Sequence, residues 1–155
     1  MKPSYRPMTI DDIPAALAVR VSTMENRLTM EELERDYGVT PESLAAAMKS
    51  DVKGWVCEDA GSVVGFAMGD RSNGEVSVVA VLPAYERRGI GRNLLARVQG
   101  WLFSEGHEEI WLQATPDPNI RAYGFYRKLG WRAAGTTEGD AEVMKLRREV
   151  AAEEL

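Results

Sequence analysis

Residues 75–91, EVSVVAVLPAYERRGIG, decide the fold because they predict a buried strand that runs through a basic turn into a helix. The helical stretch RNLLARVQGWL follows at once. The first turn of a helix offers unpaired amides and the positive end of the helix dipole to an anion. Gly89 and Gly91 let the backbone approach such an anion closely, and neighbouring arginines add positive charge. The junction therefore predicts a binding site for a diphosphate.

A G-x-G pattern alone leaves open a tight strand-to-helix turn that binds nothing. The dinucleotide fingerprint is excluded because Leu94 stands where a third glycine or alanine is required. A P-loop is excluded because no G-K-[ST] follows the glycines. These exclusions leave a phosphate-binding turn of another kind.

Length and composition are those of an ordinary globular protein. The 155 residues predict one domain over 1–148 with a charged tail at 149–155. A single cysteine excludes an internal disulfide, and we expect no signal peptide and no membrane span, hence a cytoplasmic protein. The net charge of −5 argues against nucleic acid as a partner. Because no His, Cys, Asp or Glu cluster has ligand spacing, we expect no metal.

Hydrophobic periodicity predicts an α/β chain with a mixed sheet flanked by helices. The early strands form an antiparallel meander, and the strands before and after the long helix form a parallel βαβ crossover. The predicted strands are 4–8, 54–58, 62–69, 75–82, 109–114, 131–134 and 141–146.

Two motifs together resemble the GNAT superfamily of acyl-CoA-dependent N-acetyltransferases. They are VVAVLPAYERRGIGRNLL and PDPNIRAYGFYRKLGW, and the resemblance is specific over residues 76–131. The family pattern [Q/R]-x-x-G-x-[G/A] stands at 86–91, with Glu86 in the first position. The second family motif matches Asn119, Ala122, Phe125, Tyr126, Gly130 and Trp131.

The resemblance implies a GNAT-like mixed sheet of six to seven strands. It also implies an N-acetyltransferase that transfers an acetyl group from acetyl-CoA directly to a primary amine of a small molecule, peptide or protein. Relatives are often homodimers, and the apolar late strands offer a surface for pairing. Two alternatives stay open: a non-catalytic acyl-CoA-binding sensor or interaction module, and a nucleotide-binding α/β domain.

By the same resemblance, a set of residues on the strand, the turn and the later helix binds coenzyme A. The set is Val79, Ala80, Val81, Arg87, Arg88, Gly89, Ile90, Gly91, Arg92, Asn119 and Tyr126.

The resemblance also makes Tyr126 the general acid for the departing thiolate, and Glu75 the general base. Simple strand alternation puts Glu75 on the face of Ser77, Val79 and Val81. The alternatives are a half-buried core tyrosine and a surface carboxylate that follows a turn. Gln113 on the next strand is a poor base.

The acceptor amine carries no motif. Glu25, Asn26 and Arg27 fall where the family usually builds its acceptor pocket. The acidic balance of the chain favours a polyamine, an aminoglycoside or a basic protein terminus, and an amino acid is left equally open.

Overall fold

The computed structural model describes residues 3–22, 29–114, 116–119, 121–137 and 141–150. The strands are β1 Ser4–Pro7, β2 Val52–Asp59, β3 Ser62–Asp70, β4 Glu75–Val81, β5 Glu109–Ala114, β6 Arg132–Thr136 and β7 Glu142–Arg147. The α-helices are α1 Ile13–Val21, α2 Met30–Tyr37, α3 Pro41–Met48, α4 Ile90–Ser104 and α5 Arg121–Lys128. None of the helices in these described ranges has the length and apolarity that crossing a lipid bilayer requires.

The strands form a seven-stranded mixed sheet in the order β1-β2-β3-β4-β5-β7-β6. Neighbouring strands are antiparallel except for β4 and β5, which are parallel and joined through α4. This arrangement confirms the predicted fold: an antiparallel meander first and a βαβ crossover in the second half.

Helices cover both faces of the sheet. On one face, α4 buries the apolar stripe Leu94, Leu95, Val98 and Leu102, each no more than 1% exposed. Burial of each such side chain contributes roughly 1.5–3 kcal/mol, so α4 is held firmly against the sheet. On the other face, α1, α2 and α3 pack with residues of β2, β3 and β4 in a second cluster. The two faces are called the α4 face and the α1 face below.

The start of α1 is fixed by the buried carboxylate of Asp12. This group accepts hydrogen bonds from the Thr9 backbone amide (2.8 Å) and from both terminal nitrogens of Arg6 (2.7 and 2.8 Å). Arg6 also pairs with Glu58 of β2. The hydrogen bonds from Arg6 hold the pKa of Asp12 at about 2, so the pair ties α1 to the sheet at neutral pH.

A β-bulge interrupts β4 and reverses its alternation. In the pairing with β3, Met68 lies opposite Val78 but Gly69 lies opposite Val76, so Ser77 is the extra residue. Val76 consequently packs on the α4 face, whereas Val78 packs on the α1 face.

The bulge changes the position of Glu75. Glu75 is paired with Asp70 and follows the alternation on the near side of the bulge, which puts it on the α1 face. Val79 and Val81 pack on the α4 face. The prediction that Glu75 shares a face with Val79 and Val81 is therefore wrong, because alternation was counted without the extra residue.

β4 and β5 are paired only at one end. The parallel register is recorded at Glu75 and Trp111, where the Trp111 amide donates to the Gly74 carbonyl (3.1 Å). Beyond this point the two strands diverge toward their carboxyl ends. The result is a wedge in the sheet that opens toward the β4–α4 junction.

Candidate active site

The wedge holds a cavity of about 460 Å³. Its walls come from β4, the β4–α4 loop, the first turn of α4, the end of β5 and one side of α5, together with Arg20 of α1. One cavity thus joins the two motifs, which lie at residues 78–95 and 116–131 in the sequence.

The edge of β4 that faces the wedge has unpaired backbone groups. Leu82 donates its amide to the Val64 carbonyl on β3 (2.9 Å). Because hydrogen-bonded and non-hydrogen-bonded pairs alternate along an antiparallel ladder, Ala80 also points its backbone groups toward β3. Val79 and Val81 then direct their N–H and C=O groups toward the wedge. They are free there to pair with an extended ligand.

The β4–α4 loop forms a concave surface of amides. Arg87 and Gly89 both have positive φ, 64° and 81° respectively. Alternation of right- and left-handed residues turns successive N–H groups inward, which makes a nest for an anion. No side chain caps α4 at Gly89, and the first intrahelical bond runs from Asn93 to the Gly89 carbonyl (3.0 Å). The amides of the first helical turn, residues 90–92, are therefore available to a ligand.

Side chains around this loop add charge and leave room. Arg87 and Arg92 line the cavity, whereas Arg88 lies outside the lining and stacks over the Tyr85 ring (5.1 Å). A Cβ added at Gly91 would lie 3.7 Å from both Phe125 and Val81, within the cavity. Gly91 thus keeps open the space between β4 and α5.

The β4–α4 loop is anchored by a contact that could not be predicted from the sequence. The Tyr85 hydroxyl donates to Asp59 Oδ2 in the β2–β3 hairpin (2.7 Å). This hydrogen bond raises the pKa of Tyr85 above its ordinary value. The short 3₁₀ turn Pro83–Tyr85 is thereby attached to the end of β2.

Tyr126 lines the cavity on α5. Its ring makes edge contacts with Phe125 (5.1 Å between centroids) and with the buried Trp131 (5.9 Å). Burial raises the pKa of Tyr126 to about 12. The hydroxyl therefore keeps its proton at physiological pH and can act as a hydrogen-bond donor.

Besides Arg88, two predicted site residues lie outside the lining of this cavity. Glu75 is half-buried at the closed end of the wedge, and burial, with a smaller effect of Asp70, raises its pKa. Asn119 is exposed, and its backbone N–H donates to Asp117 Oδ1 (2.9 Å). The roles assigned to both residues stay predictions.

Away from the β4–α4 loop, three polar residues in the lining were not predicted as binding residues: Arg20, Ser77 and Gln113. Arg20 sits in the otherwise apolar helix IPAALAVRV, and that isolated charge is the one signal a reader of the sequence could have used. Ser77 enters the cavity through the bulge, which has no sequence signal. The predicted acceptor residues 25–27 lie outside the described part of the chain.

A profile described as the acetyltransferase (GNAT) family matches residues 21–131. The chain belongs to this family. The resemblance carried by the two sequence motifs is thus confirmed, and with it an acyltransferase assignment at the level of the family.

Solved GNAT structures share the fold over nearly the whole chain. PaiA N-acetyltransferase from Thermoplasma acidophilum, in complex with coenzyme A, superposes with a TM-score of 0.78 at 20% identity, covering 95% of this chain and 99% of that one. YncA from Salmonella typhimurium, a putative acetyltransferase with its cofactor acetyl-CoA, gives 0.73 at 18% identity over 95% and 94%. The ribosomal-protein-S18-alanine N-acetyltransferase from Escherichia coli gives 0.70 at 21% identity over 94% of both chains.

A sequence relative is an uncharacterized protein of Mycobacterium leprae. It is 28% identical over 144 residues, which are 86% of this chain and 39% of that protein. The chain therefore spans well under half of that relative's length.

Proposed function

We propose that this protein is an N-acetyltransferase that moves the acetyl group of acetyl-CoA directly to a primary amine. The observation that carries the proposal is the continuity of one cavity. It contains the amide nest at 87–92, the unpaired edge of β4 and the Tyr126 ring. Two relatives of the same fold, PaiA and YncA, are described with coenzyme A and with acetyl-CoA.

The chain offers a separate contact for each part of the donor. The amides of residues 87–92 and the charges of Arg87 and Arg92 bind the diphosphate. The backbone groups of Val79 and Val81 pair with the amide-bearing arm as if it were an added strand. From Val81 to Ser77 the strand advances about 13 Å, which brings the thioester toward the bulge.

In the reaction, the neutral amine attacks the thioester carbonyl. A C–N bond forms, the C–S bond breaks, and the amine gives up one proton while the thiolate gains one. A backbone N–H on the open edge of β4 donates to the carbonyl oxygen as negative charge develops there. Such a donor is fixed before the reaction, so it needs no reorganisation.

Tyr126 donates a hydrogen bond to the departing sulfur. Its pKa of about 12 exceeds that of a free thiol, about 8.5, by about 3.5 pKa units. Complete transfer of the tyrosine proton is therefore uphill unless Tyr126 is reprotonated at the same time. Solvent supplies this replacement, so Tyr126 acts as donor and relay, while the proton released by the amine leaves by a separate route.

The amine proton leaves toward Glu75 through water, since Glu75 is outside the cavity lining. The raised pKa of Glu75 makes it a stronger base than an ordinary carboxylate once ionised. A non-catalytic acyl-CoA-binding module is the second candidate. It is favoured by one observation: among the described residues that line the cavity, the only carboxylate is Glu86, beside the diphosphate loop.

Two measurements test the proposal. Coenzyme A should raise Tm, by the equivalent of about 2.7 kcal/mol at a hundred times its Kd, whereas NAD and ATP should not. Thiol release from acetyl-CoA should then require an amine from a panel. Stabilisation by coenzyme A without thiol release for any amine would favour the binding module. No stabilisation at all would overturn both candidates.

A further inference from the structure

Arg20 is a charged side chain in an apolar helix, and it lines the cavity. The helix buries Ile13, Ala16, Leu17 and Val19 against the sheet, yet Arg20 is only half-buried and reaches the wedge. Burial lowers the pKa of Arg20, but a guanidinium stays charged because its ordinary pKa is so high. A cation thus forms part of the cavity wall.

Arg20 reaches the cavity from the side opposite the diphosphate loop. α1 packs on the α1 face with Ala80 and Val78, whereas α4 and its first-turn amides lie on the other face. The charge of Arg20 is therefore separate from the Arg87 and Arg92 charges that serve the diphosphate. It borders the part of the cavity that is left for the second substrate.

The neighbouring polar groups fit the same role. Ser77 in the bulge and Gln113 near the end of β5 line the cavity and are exposed to it. A guanidinium carries five N–H donors in a planar fork, so it can keep a contact within the protein and still bind a carboxylate. The hydroxyl and amide donors of these two residues, in the lining of the same cavity, can complete the coordination of such a group.

We propose that the acceptor is an amine that carries a carboxylate, with free amino acids as the simplest members, and that Arg20 binds that carboxylate. This inference rests on the proposed acetyl transfer. It selects among the acceptors that the sequence left open, and against the polyamines that the net charge of −5 favoured. For the choice of acceptor, the local charge at the site outweighs the net charge of the chain, because Arg20 repels a cationic acceptor at short range.

Arg20 also helps to make the amine reactive. A positive charge near an amine disfavours its ammonium form, so a larger share of the bound acceptor is neutral and able to attack. The same guanidinium thus holds the acceptor and favours its reactive form.

The test compares matched acceptors on the full chain. At saturating acetyl-CoA, kcat/KM is measured for the twenty amino acids, their carboxamides and spermidine, and each value is corrected for the fraction of neutral amine. We expect at least one amino acid to be preferred over its carboxamide by about tenfold to a hundredfold, as for a charged hydrogen-bonded pair.

Two substitutions at Arg20 test whether this side chain causes the preference for amino acids over carboxamides. Arg20→Gln should bring the ratio close to one, mainly through the acceptor KM, while stabilisation by coenzyme A is kept. Arg20→Lys should keep part of the ratio because the charge stays and the fork is lost. Arg35→Gln is the control, since it removes the same charge from an exposed position on α2 (side chain 62% exposed).

Several results overturn the inference. They are equal or better rates with carboxamides or spermidine, an unchanged ratio in both Arg20 variants, or no acetylation of any amino acid while coenzyme A binds. Absence of coenzyme A binding to the unsubstituted chain is a different failure, which removes the proposed function itself.

Discussion

The two ends of the cavity are built in different ways. The end that we propose for the diphosphate comes from one continuous segment, residues 86–92, and presents backbone amides. The end that we propose for the acceptor is assembled from α1, the β4 bulge and the end of β5, and presents the side chains of Arg20, Ser77 and Gln113. A site made of local backbone can be recognised from its sequence, whereas one made of dispersed side chains cannot.

The largest effect is expected at the diphosphate end, from Gly91→Leu. The new side chain would fill the space beside Phe125 and Val81, because an added Cβ alone would come to 3.7 Å from each of them. Affinity for coenzyme A should fall about a hundredfold or more, equivalent to about 2.8 kcal/mol, as measured by calorimetry. Gly100→Leu on the same helix is the matched control, because a Cβ there meets nothing within 4 Å. Equal affinities in the two variants would place the donor elsewhere.

The next largest effect is expected from Tyr126, which we propose donates a hydrogen bond to the departing sulfur. Tyr126→Phe should lower kcat by about tenfold to a hundredfold, the value of a hydrogen bond to a charged atom, and leave coenzyme A affinity unchanged. Since the pKa of Tyr126 is about 12, loss of its proton should not reduce the rate below about pH 11. Tyr123→Phe is the control on α5, where the ring stacks with Arg127 (3.6 Å). A full rate in Tyr126→Phe would remove the tyrosine from the mechanism.

The third effect concerns α1, the helix that carries Arg20 to the acceptor end. Asp12→Asn loses the ion pair with Arg6 that positions α1, and should destabilise the fold by about 2 kcal/mol at pH 7. The native pKa of Asp12, about 2, lies below its ordinary 3.8, so this stability is present above about pH 4 and is lost as pH falls toward 2.

Denaturant unfolding between pH 2 and pH 7 measures this loss, with the exposed Asp11→Asn as control. We also expect Asp12→Asn to raise the acceptor KM more than the Kd for coenzyme A, since α1 carries Arg20. An equal change in both constants would contradict the assignment of α1 to the acceptor end.

The smallest effect concerns Glu75 at the closed end of the wedge. Its native pKa is raised, so its ionisation opposes folding, and stability falls as pH rises from its ordinary value of 4.5 through the native pKa. Glu75→Gln should therefore be slightly more stable than the unsubstituted chain at pH 7, and the difference should vanish near pH 4. Melting curves at both pH values measure it.

If Glu75 is the base, kcat/KM falls at low pH with a pKa above the ordinary glutamate range, and this acidic limb of the pH profile disappears in Glu75→Gln. Asp70→Asn should move that limb to lower pH, because Asp70 contributes to the raised pKa. A limb that is identical in all three proteins would assign the base to another group.

Local patterns predicted most of the elements correctly. Gly38 ends α2 at φ 66°, and Thr29 and Thr40 cap the helices that follow them, as their positions in the sequence indicate. The β4–α4 junction was predicted for the same reason, since its glycines and helix start are local properties of the chain. Thr9 and the acidic residues after it indicate a helix start, and the chain there first forms a 3₁₀ turn over Ile10–Asp12 before α1.

The features that the sequence did not predict have a common cause. The face of Glu75 depends on the bulge at Ser77, which exists only in the register between β3 and β4. The hydrogen bond between Tyr85 and Asp59 joins residues that are distant in sequence. Neither residue type nor spacing encodes these pairings, so a reader of the sequence has no access to them.

The sequence by itself determined the family, the mixed sheet and the glycine turn at the start of α4, because periodicity, glycines and helix starts act over a few residues. Only the tertiary structure decided which side chains share the cavity with that turn. The bulge moved Glu75 to the opposite face, and the packing of α1 brought Arg20 to the wedge. Both outcomes follow from strand register and helix packing, which are fixed by contacts across the whole chain.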